Sequence, residues 1–322
     1  MIPSSSGSAR RRGGWKGWLA ALLGGASAAQ ATPPQPATPP APPAAPAPQA
    51  RAAAPEPRMP RSDELIYKTT SNARLRLHFA WPPEQRFSGP RPCVVFFHGG
   101  GWRTGQPKQF MTFAERLAEL GVVGISAQYR LMRDGDVLPM AAIQDARSAL
   151  RFVRARAAQL GCDPNRIAAG GGSSGGHLAA MTAVLVDPKV PAPAGPIDDP
   201  ADDLAVSARP NALFLMNAPL NLERYERPVP ADQRRQLSPA LRVDPQWPPT
   251  WVFHGTADKL VPFAQAGEFR DRVKAAGGPE VTVQGFNGRG HGFFNANRGD
   301  GKDFEATLAT ITAALKKLGW IG

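Results

Sequence analysis

The stretch Asp163–Ala179, DPNRIAAGGGSSGGHLA, decides how the rest of the chain is read. Arg166–Ala169 reads as a strand and Gly175–Val186 as a helix, joined by a turn that holds two serines among glycines. A serine on so sharp a strand-to-helix turn sits in a strained conformation with its hydroxyl exposed. Neighbours two positions away must be small, or their Cβ atoms clash. The helix start adds free N–H groups and the positive end of a dipole, both suited to a developing negative charge. The G-x-S-x-G pattern fits in two registers, Gly171-Gly172-Ser173-Ser174-Gly175 and Gly172-Ser173-Ser174-Gly175-Gly176. Sterics alone leave both open. A glycine-rich turn without chemistry is the other reading of the string.

Strand and helix alternate on both sides of this turn. Asp63–Thr69 and Arg74–Phe79 alternate apolar and polar residues, which predicts an antiparallel, half-exposed pair. Cys93–Phe97, Val122–Ala127, Asn211–Met216 and Thr250–Phe253 are short apolar runs of the kind that form buried strands, and Glu280–Gly285 reads as a further strand. Lys108–Leu120, Pro139–Leu160, Pro262–Ala276 and Asp303–Leu318 carry helical spacing. An opening hairpin followed by repeated βα units predicts an α/β fold with a mainly parallel sheet and helices on both faces. Functional groups are then expected at the carboxyl ends of the strands. Asp187–Arg209 and Pro219–Pro249 break the rhythm and are candidates for a small cap or substrate loops on that side.

Three further motifs lie where such a sheet gathers its chemistry. His98-Gly99-Gly100-Gly101-Trp102 follows the Cys93–Phe97 strand, and its glycines let backbone N–H groups turn toward a carbonyl oxygen that gains charge. His254-Gly255-Thr256-Ala257-Asp258 follows the Thr250–Phe253 strand and brings Asp258 to its carboxyl end. Gly288-Arg289-Gly290-His291-Gly292-Phe293-Phe294 follows Glu280–Gly285. A serine hydroxyl needs a base, and the base needs a carboxylate to hold its tautomer. Ser173, Asp258 and His291 occur in the chain order expected of this arrangement. His98, His254 and His177 are read as structural and His78 as solvated. No histidine pair has metal-ligand spacing with a carboxylate partner, so neither a metal nor another cofactor is expected.

The chain has 322 residues, 42% of them hydrophobic, enough for one sizeable core. Only two cysteines, Cys93 and Cys162, are present, which excludes a disulfide scaffold. They read either as buried thiols or as one disulfide between neighbouring strands. Residues 1–31 show a basic start (Arg10, Arg11, Arg12, Lys16), an apolar stretch and Ala29-Gln30-Ala31, the order of a secretory signal peptide. A secreted or periplasmic location is therefore expected. Residues 32–61 form a Pro/Ala-rich tract too poor in aliphatic side chains to bury a core, expected as a disordered linker, with residues 62–322 as the folded domain. No apolar run is long enough for a spanning helix. The net charge is +12, but the arginines are scattered without interleaved aromatics, so no nucleic-acid partner is expected. Oligomeric state is left open.

At His98–Trp102, Ser126–Leu131 (SAQYRL), Asp163–Ala179, His254–Pro262 and Gly290–Phe294 the sequence resembles the α/β-hydrolase superfamily. It is most similar to the hormone-sensitive-lipase-type carboxylesterases and the acetylxylan and feruloyl esterases near them. The resemblance implies an α/β-hydrolase fold and a serine-hydrolase site. It also implies Ser173 as the nucleophile, because Ser174-Gly175-Gly176-His177-Leu178-Ala179 follows it in the family's manner. Gly99, Gly100 and Ser174 are then expected as oxyanion donors, and Trp102 as a residue at the mouth that stacks on an acyl or sugar group. The lipase-type branch often has an acidic residue before the nucleophile, where this chain has Gly172, and a large N-terminal helical cap that residues 32–60 cannot form. These departures point to small open-site esterases acting on acylated carbohydrates, with short acyl esters or acylated polysaccharide as substrate. A lipase-like esterase for longer chains, a peptidase or amidase of the same fold, and a non-catalytic binding module are the rival readings.

Overall fold

Val94 and Phe96 face one side of the central strand, and Val95 and Phe97 the other; both pairs are fully buried. A strand that is apolar on both faces must be covered on both, and this requirement shapes the whole computed structural model. It describes residues 59, 61–133, 136, 138–187, 189, 192–224 and 230–322. Residues 1–31, and all of 32–61 except Met59 and Arg61, lie outside them, and so does the expected signal peptide.

Eight strands form one sheet in the order β1-β2-β4-β3-β5-β6-β7-β8. β1 (Glu64–Thr69) and β2 (Arg74–Ala80) pair antiparallel, and β2 joins β4 (Val123–Ala127) antiparallel. From there β4, β3 (Arg91–Phe97), β5 (Cys162–Gly172), β6 (Ala212–Met216), β7 (Thr250–Gly255) and β8 (Val281–Phe286) run parallel. α1 (Met111–Ala118) and α6 (Lys302–Lys317) pack Phe113, Leu117, Phe304, Leu308 and Ile311 against the Phe96 face. α2 (Met140–Ala155), α3 (Ser174–Ala183) and α5 (Ala264–Ala275) set Ile143, Leu150, Leu178, Met181 and Phe269 on the other face. The predicted fold class is therefore the observed one. Each such side chain contributes about 1.5–3 kcal/mol by leaving water.

The two irregular segments meet. Pro219–Pro249 leaves the carboxyl end of β6, and its described residues hold two 3₁₀ turns and a short helix, α4 (Ala231–Gln236), after which Leu237 O meets His177 of α3 at 2.8 Å. The described part of Asp187–Arg209 packs against α4 and the start of α2: the Ala194 N–H donates to Gln236 Oε1 at 2.7 Å, Gln236 Nε2 donates to Gly195 O, and Gln144 donates to Pro196 O. It follows α3, which runs back from the carboxyl end of β5, so it begins at the opposite end of the sheet. It is pinned along α2, where Asp198 meets Arg147 and Arg151 at 2.6 and 2.5 Å.

Met59 and Arg61, which the sequence reading assigned to the linker, touch the domain. The Met59 N–H donates to Gln159 O, and Arg61 donates to Pro82 O. Cys93 and Cys162 are both free and buried, the thiol alternative of the two read from sequence.

Candidate active site

β5 and α3 meet at Ser173, whose φ of 54° and ψ of −124° make it a non-glycine residue at positive φ. The turn is that tight because the flanking glycines let backbone press on backbone. A Cβ on Gly171 would lie 2.4 Å from Phe97 O, and one on Gly175 only 2.0 Å from the same atom. The Ser173 N–H is held by Met216 O at 2.8 Å, tying the turn to the end of β6. Ser174 is the first residue of α3 and is 1% exposed, with its hydroxyl buried beside Tyr129. The residue at the strand-to-helix turn is thus Ser173, and Ser174 lies inside α3.

Asp258 follows β7, and its side chain is fully buried. One carboxylate oxygen accepts the Leu260 and Val261 N–H groups at 2.8 and 3.1 Å. The other lies 2.7 Å from His291 Nδ1. A carboxylate only accepts, so Nδ1 carries the hydrogen, and in a neutral ring the lone pair is then on Nε2. The His291 side chain is 21% exposed.

Asn217, at the residue after β6, is buried and also at positive φ. Its Oδ1 accepts the Gly255 N–H at 3.0 Å, while its Nδ2 reaches toward Gly290 O and lies 3.5 Å from His291 Nδ1. It links the ends of β6 and β7 to the histidine loop. The sequence reading missed it, because a lone asparagine after a strand gives no local signal.

The glycine loop after β3 lies against the same turn: a Cβ on Gly99 would stand 3.5 Å from the Ser173 Cβ. Here one expectation needs correction. The Gly99 N–H donates to Gln109 Oε1 at 2.7 Å, so its single hydrogen is taken and it is not an oxyanion donor. The next peptide is directed differently. His98 Nδ1 lies 2.8 Å from Gly99 O, and because that carbonyl can only accept, Nδ1 donates. A planar trans peptide then points the Gly100 N–H the opposite way. Among the described residues neither the Gly100 nor the Gly101 N–H donates to a protein acceptor, and the Ser174 N–H opens a helix where no i−4 carbonyl precedes it. Gly100, Gly101 and Ser174 are the N–H groups free to receive an anion.

Trp102 also differs from expectation. It is 5% exposed and packs edge-on to His177 with ring centroids 5.1 Å apart, so its faces are spent inside the core and no stacking surface stands at the mouth. The remaining histidines are structural. His177 Nε2 donates to Leu237 O, His254 Nε2 donates to Val261 O, His98 stacks on Tyr129, and His78 pairs with Glu64. Among the described residues no group of three or more His, Cys, Asp or Glu side chains could hold a metal ion.

Residues 80–206 match the BD-FAE family. The probable carboxylic ester hydrolase LipM of Mycobacterium tuberculosis is 32% identical over 209 residues, 60% of this chain and 47% of LipM. Esterase LipC of the same organism is 30% identical over 66% of this chain and 56% of its own length. The chain spans about half the length of these relatives. Among solved structures, Thermogutta terrifontis esterase 2 phosphorylated by paraoxon superposes with a TM-score of 0.73 at 35% identity, covering 83% of this chain and 97% of that one. The propionate-bound form of that esterase gives 0.71, again at 35% identity, over 83% of this chain and 97% of that one. With its elbow serine, its Asp–His pair and near-complete coverage of a solved esterase, the chain belongs to the α/β-hydrolase superfamily, among its esterases.

Proposed function

We propose that the protein is a serine carboxylesterase acting on short acyl esters. Ser173 Oγ attacks the ester carbonyl carbon as His291 Nε2 takes its proton. The carbonyl oxygen, now an anion, is met by the N–H groups of Gly100, Gly101 and Ser174, the step at which such donors matter most. The C–O bond to the alcohol breaks, and the alkoxide leaves with the proton held by His291. Water then attacks the acyl-Ser173 carbonyl, giving its proton to the same nitrogen, and the acid departs as Ser173 is restored. Asp258 holds the ring in the tautomer this requires and stabilises the imidazolium that forms within each half-reaction.

The observation that carries this reading is the 2.7 Å Asp258–His291 pair, together with a serine at positive φ on the turn after β5. Propionate on the Thermogutta terrifontis esterase supports an acyl side of few carbons. We extend the proposal to acetyl or feruloyl groups on polysaccharide as a natural substrate, on the sequence resemblance to acetylxylan and feruloyl esterases. We extend the proposal to export, on the basic and then apolar order of residues 1–31, with residues 32–58 as a spacer that holds the domain away from a surface.

The test compares hydrolysis of 4-nitrophenyl acetate, butyrate and octanoate with acetate release from acetylated xylan. Fast acetate turnover with a steep fall at octanoate is expected, together with labelling by a fluorophosphonate that Ser173→Ala abolishes. Ser173→Ala should lower kcat by about 10⁶-fold, the size of a lost nucleophile. A preference for octanoate would point to a deeper acyl pocket. Retained labelling in Ser173→Ala with loss in Ser174→Ala would move the nucleophile by one residue.

A further inference from the structure

One polar chain runs from the oxyanion loop to the histidine loop, through residues that none of the motifs includes. Gln109 sits in the 3₁₀ turn Pro107–Phe110 that precedes α1, and Asn295 follows the Phe293-Phe294 pair. The Gly99 N–H donates to Gln109 Oε1 at 2.7 Å. Gln109 Nε2 donates to Asn295 Oδ1 at 2.8 Å, across 186 residues of sequence. Asn295 Nδ2 donates to Gly292 O at 2.8 Å, and Gly292 is the residue directly after His291.

The orientation of each amide is fixed rather than chosen. A backbone N–H can only donate, so the Gln109 atom facing Gly99 must be oxygen, and its nitrogen then faces Asn295. The Asn295 atom facing that nitrogen must be oxygen, which leaves its nitrogen for the Gly292 carbonyl. Every link is donor to acceptor, and reversing either amide would set like against like at both of its ends. The peptide at one end is also clamped from its other side, because the Tyr129 hydroxyl donates to His98 O at 2.8 Å. With its C=O and N–H both held, the His98–Gly99 peptide sets the direction from which the Gly100 and Gly101 N–H groups emerge.

We propose that Gln109 and Asn295 are positioning residues that fix the oxyanion loop and the His291 loop relative to each other. The proposal rests on the esterase reading above. Neither side chain is assigned contact with substrate; each acts through backbone. The geometry matters because oxyanion donors and base must meet the same carbonyl group, one at its oxygen and the other at the attacking and leaving atoms. Misplacement of such groups costs up to about 100-fold even when the altered residue is remote from the reacting atoms.

The test is a double-mutant cycle on 4-nitrophenyl acetate hydrolysis with Gln109→Ala, Asn295→Ala and both together. Each single variant is expected to lower kcat about 10-fold with KM within about two-fold of wild type, since only the transition state uses the oxyanion donors. The double variant should lose little more than either single one, because the chain is already broken. Additive losses, a change confined to KM, or unchanged kcat in either single variant overturns the proposal. If an alanine variant does not fold, Asn295→Asp keeps the acceptor for Gln109, removes the donor to Gly292 and sets a carboxylate oxygen against that carbonyl, and at least the same fall in kcat is expected. Wild-type turnover separates the two levels of inference. An inactive wild-type enzyme refutes the esterase reading, whereas an active wild type with unaffected variants refutes the relay alone.

Discussion

Phe294 fills the space that a side chain at Gly172 would need: a Cβ on Gly172 would lie 2.1 Å from Phe294 Cζ. Phe294 is 2% exposed and belongs to the aromatic cluster that includes Phe110, Phe96 and Phe113. The site before the nucleophile is thus closed by the histidine loop itself, three residues beyond His291. An acidic residue there must displace the ring or bury a charge beside it. Gly172→Asp is expected to lower stability by about 1–3 kcal/mol or more through overpacking and to reduce kcat at least about 10-fold as the His291 loop moves. Thermal melting and 4-nitrophenyl acetate kinetics measure both. Wild-type behaviour of this variant would mean that Phe294 can leave its pocket freely.

Asp258 gives the next expectation. Its buried carboxylate accepts two backbone N–H groups and the His291 Nδ1–H, so Asp258→Asn would place an amide N–H against one of those donors. The imidazole would then be held with its hydrogen on Nε2, the wrong nitrogen for a base. A loss in kcat of about 10⁴-fold with nearly unchanged KM is expected at neutral pH. A drop of less than about 100-fold would show that His291 keeps its tautomer without Asp258.

Much of this was legible in sequence because it depends on local pattern. β3, β4, β6 and β7 are continuous apolar runs, and their predicted ends lie within two residues of those observed. The serine turn and the Asp258 and His291 loops follow strands in a fixed order, so their convergence followed from the topology. What escaped depends on contacts distant in sequence. β5 begins at Cys162 rather than Arg166, because Cys162 pairs with Arg91 of β3 and the register then shifts past the polar residues 163–166 to the Cys93–Ile167 pair, which periodicity does not register. α3 ends at Ala183, before the exposed Leu185 and Val186, whose apolar character mimics helix continuation. Gly99 looked equivalent to Gly100 until Gln109 took its hydrogen. Trp102 looked exposed beside three glycines, yet its positive φ of 62° belongs to a turn that packs the ring inward.

His98 and His254 carry a pH prediction. Burial pushes both imidazoles below the ordinary histidine value of 6.5, opposed by their hydrogen bonds to Gly99 O and Val261 O. For His254, Asp258 Oδ2 at 3.6 Å also favours the charged form, and nearby His291 disfavours it. In the unfolded chain these groups take up protons near pH 6.5; in the fold they resist until lower pH. The unfolded state therefore binds more protons in that window, so stability falls as pH drops below about 6.5 and is unaffected above it. Melting temperatures between pH 8 and 5 should stay level and then decline, while the two ring resonances in NMR titrate below the free-imidazole range. Resonances that titrate at or above that range would refute the assignment of neutral, buried rings.

Arg147 ties three elements together and yields the last prediction. Rising from α2, its Nη1 donates to Met181 O and Val184 O at 2.9 Å, capping the carboxyl end of the nucleophile helix α3. Its Nε pairs with Asp198 Oδ1 at 2.6 Å, and Arg151 reaches the same oxygen. Burial pushes the Asp198 carboxyl up, but the two guanidinium groups outweigh it and hold the group below its ordinary value. Asp198→Ala leaves Arg147 buried with carbonyl partners and the more distant Asp202 but without its direct ion-pair partner. A loss of about 3 kcal/mol is expected, seen as a fall in Tm of roughly 6–12 °C. The sign with pH is opposite in origin to that of the histidines. A depressed carboxyl contributes stability that is present above about pH 4 and lost as pH falls through the folded value. The wild-type advantage over Asp198→Ala should therefore be full at pH 7 and shrink in acid. Because the pair acts at the end of α3 remote from Ser173, kcat at 25 °C should stay within about two-fold of wild type. A variant as stable as wild type at pH 7 would mean that the backbone carbonyls alone satisfy Arg147.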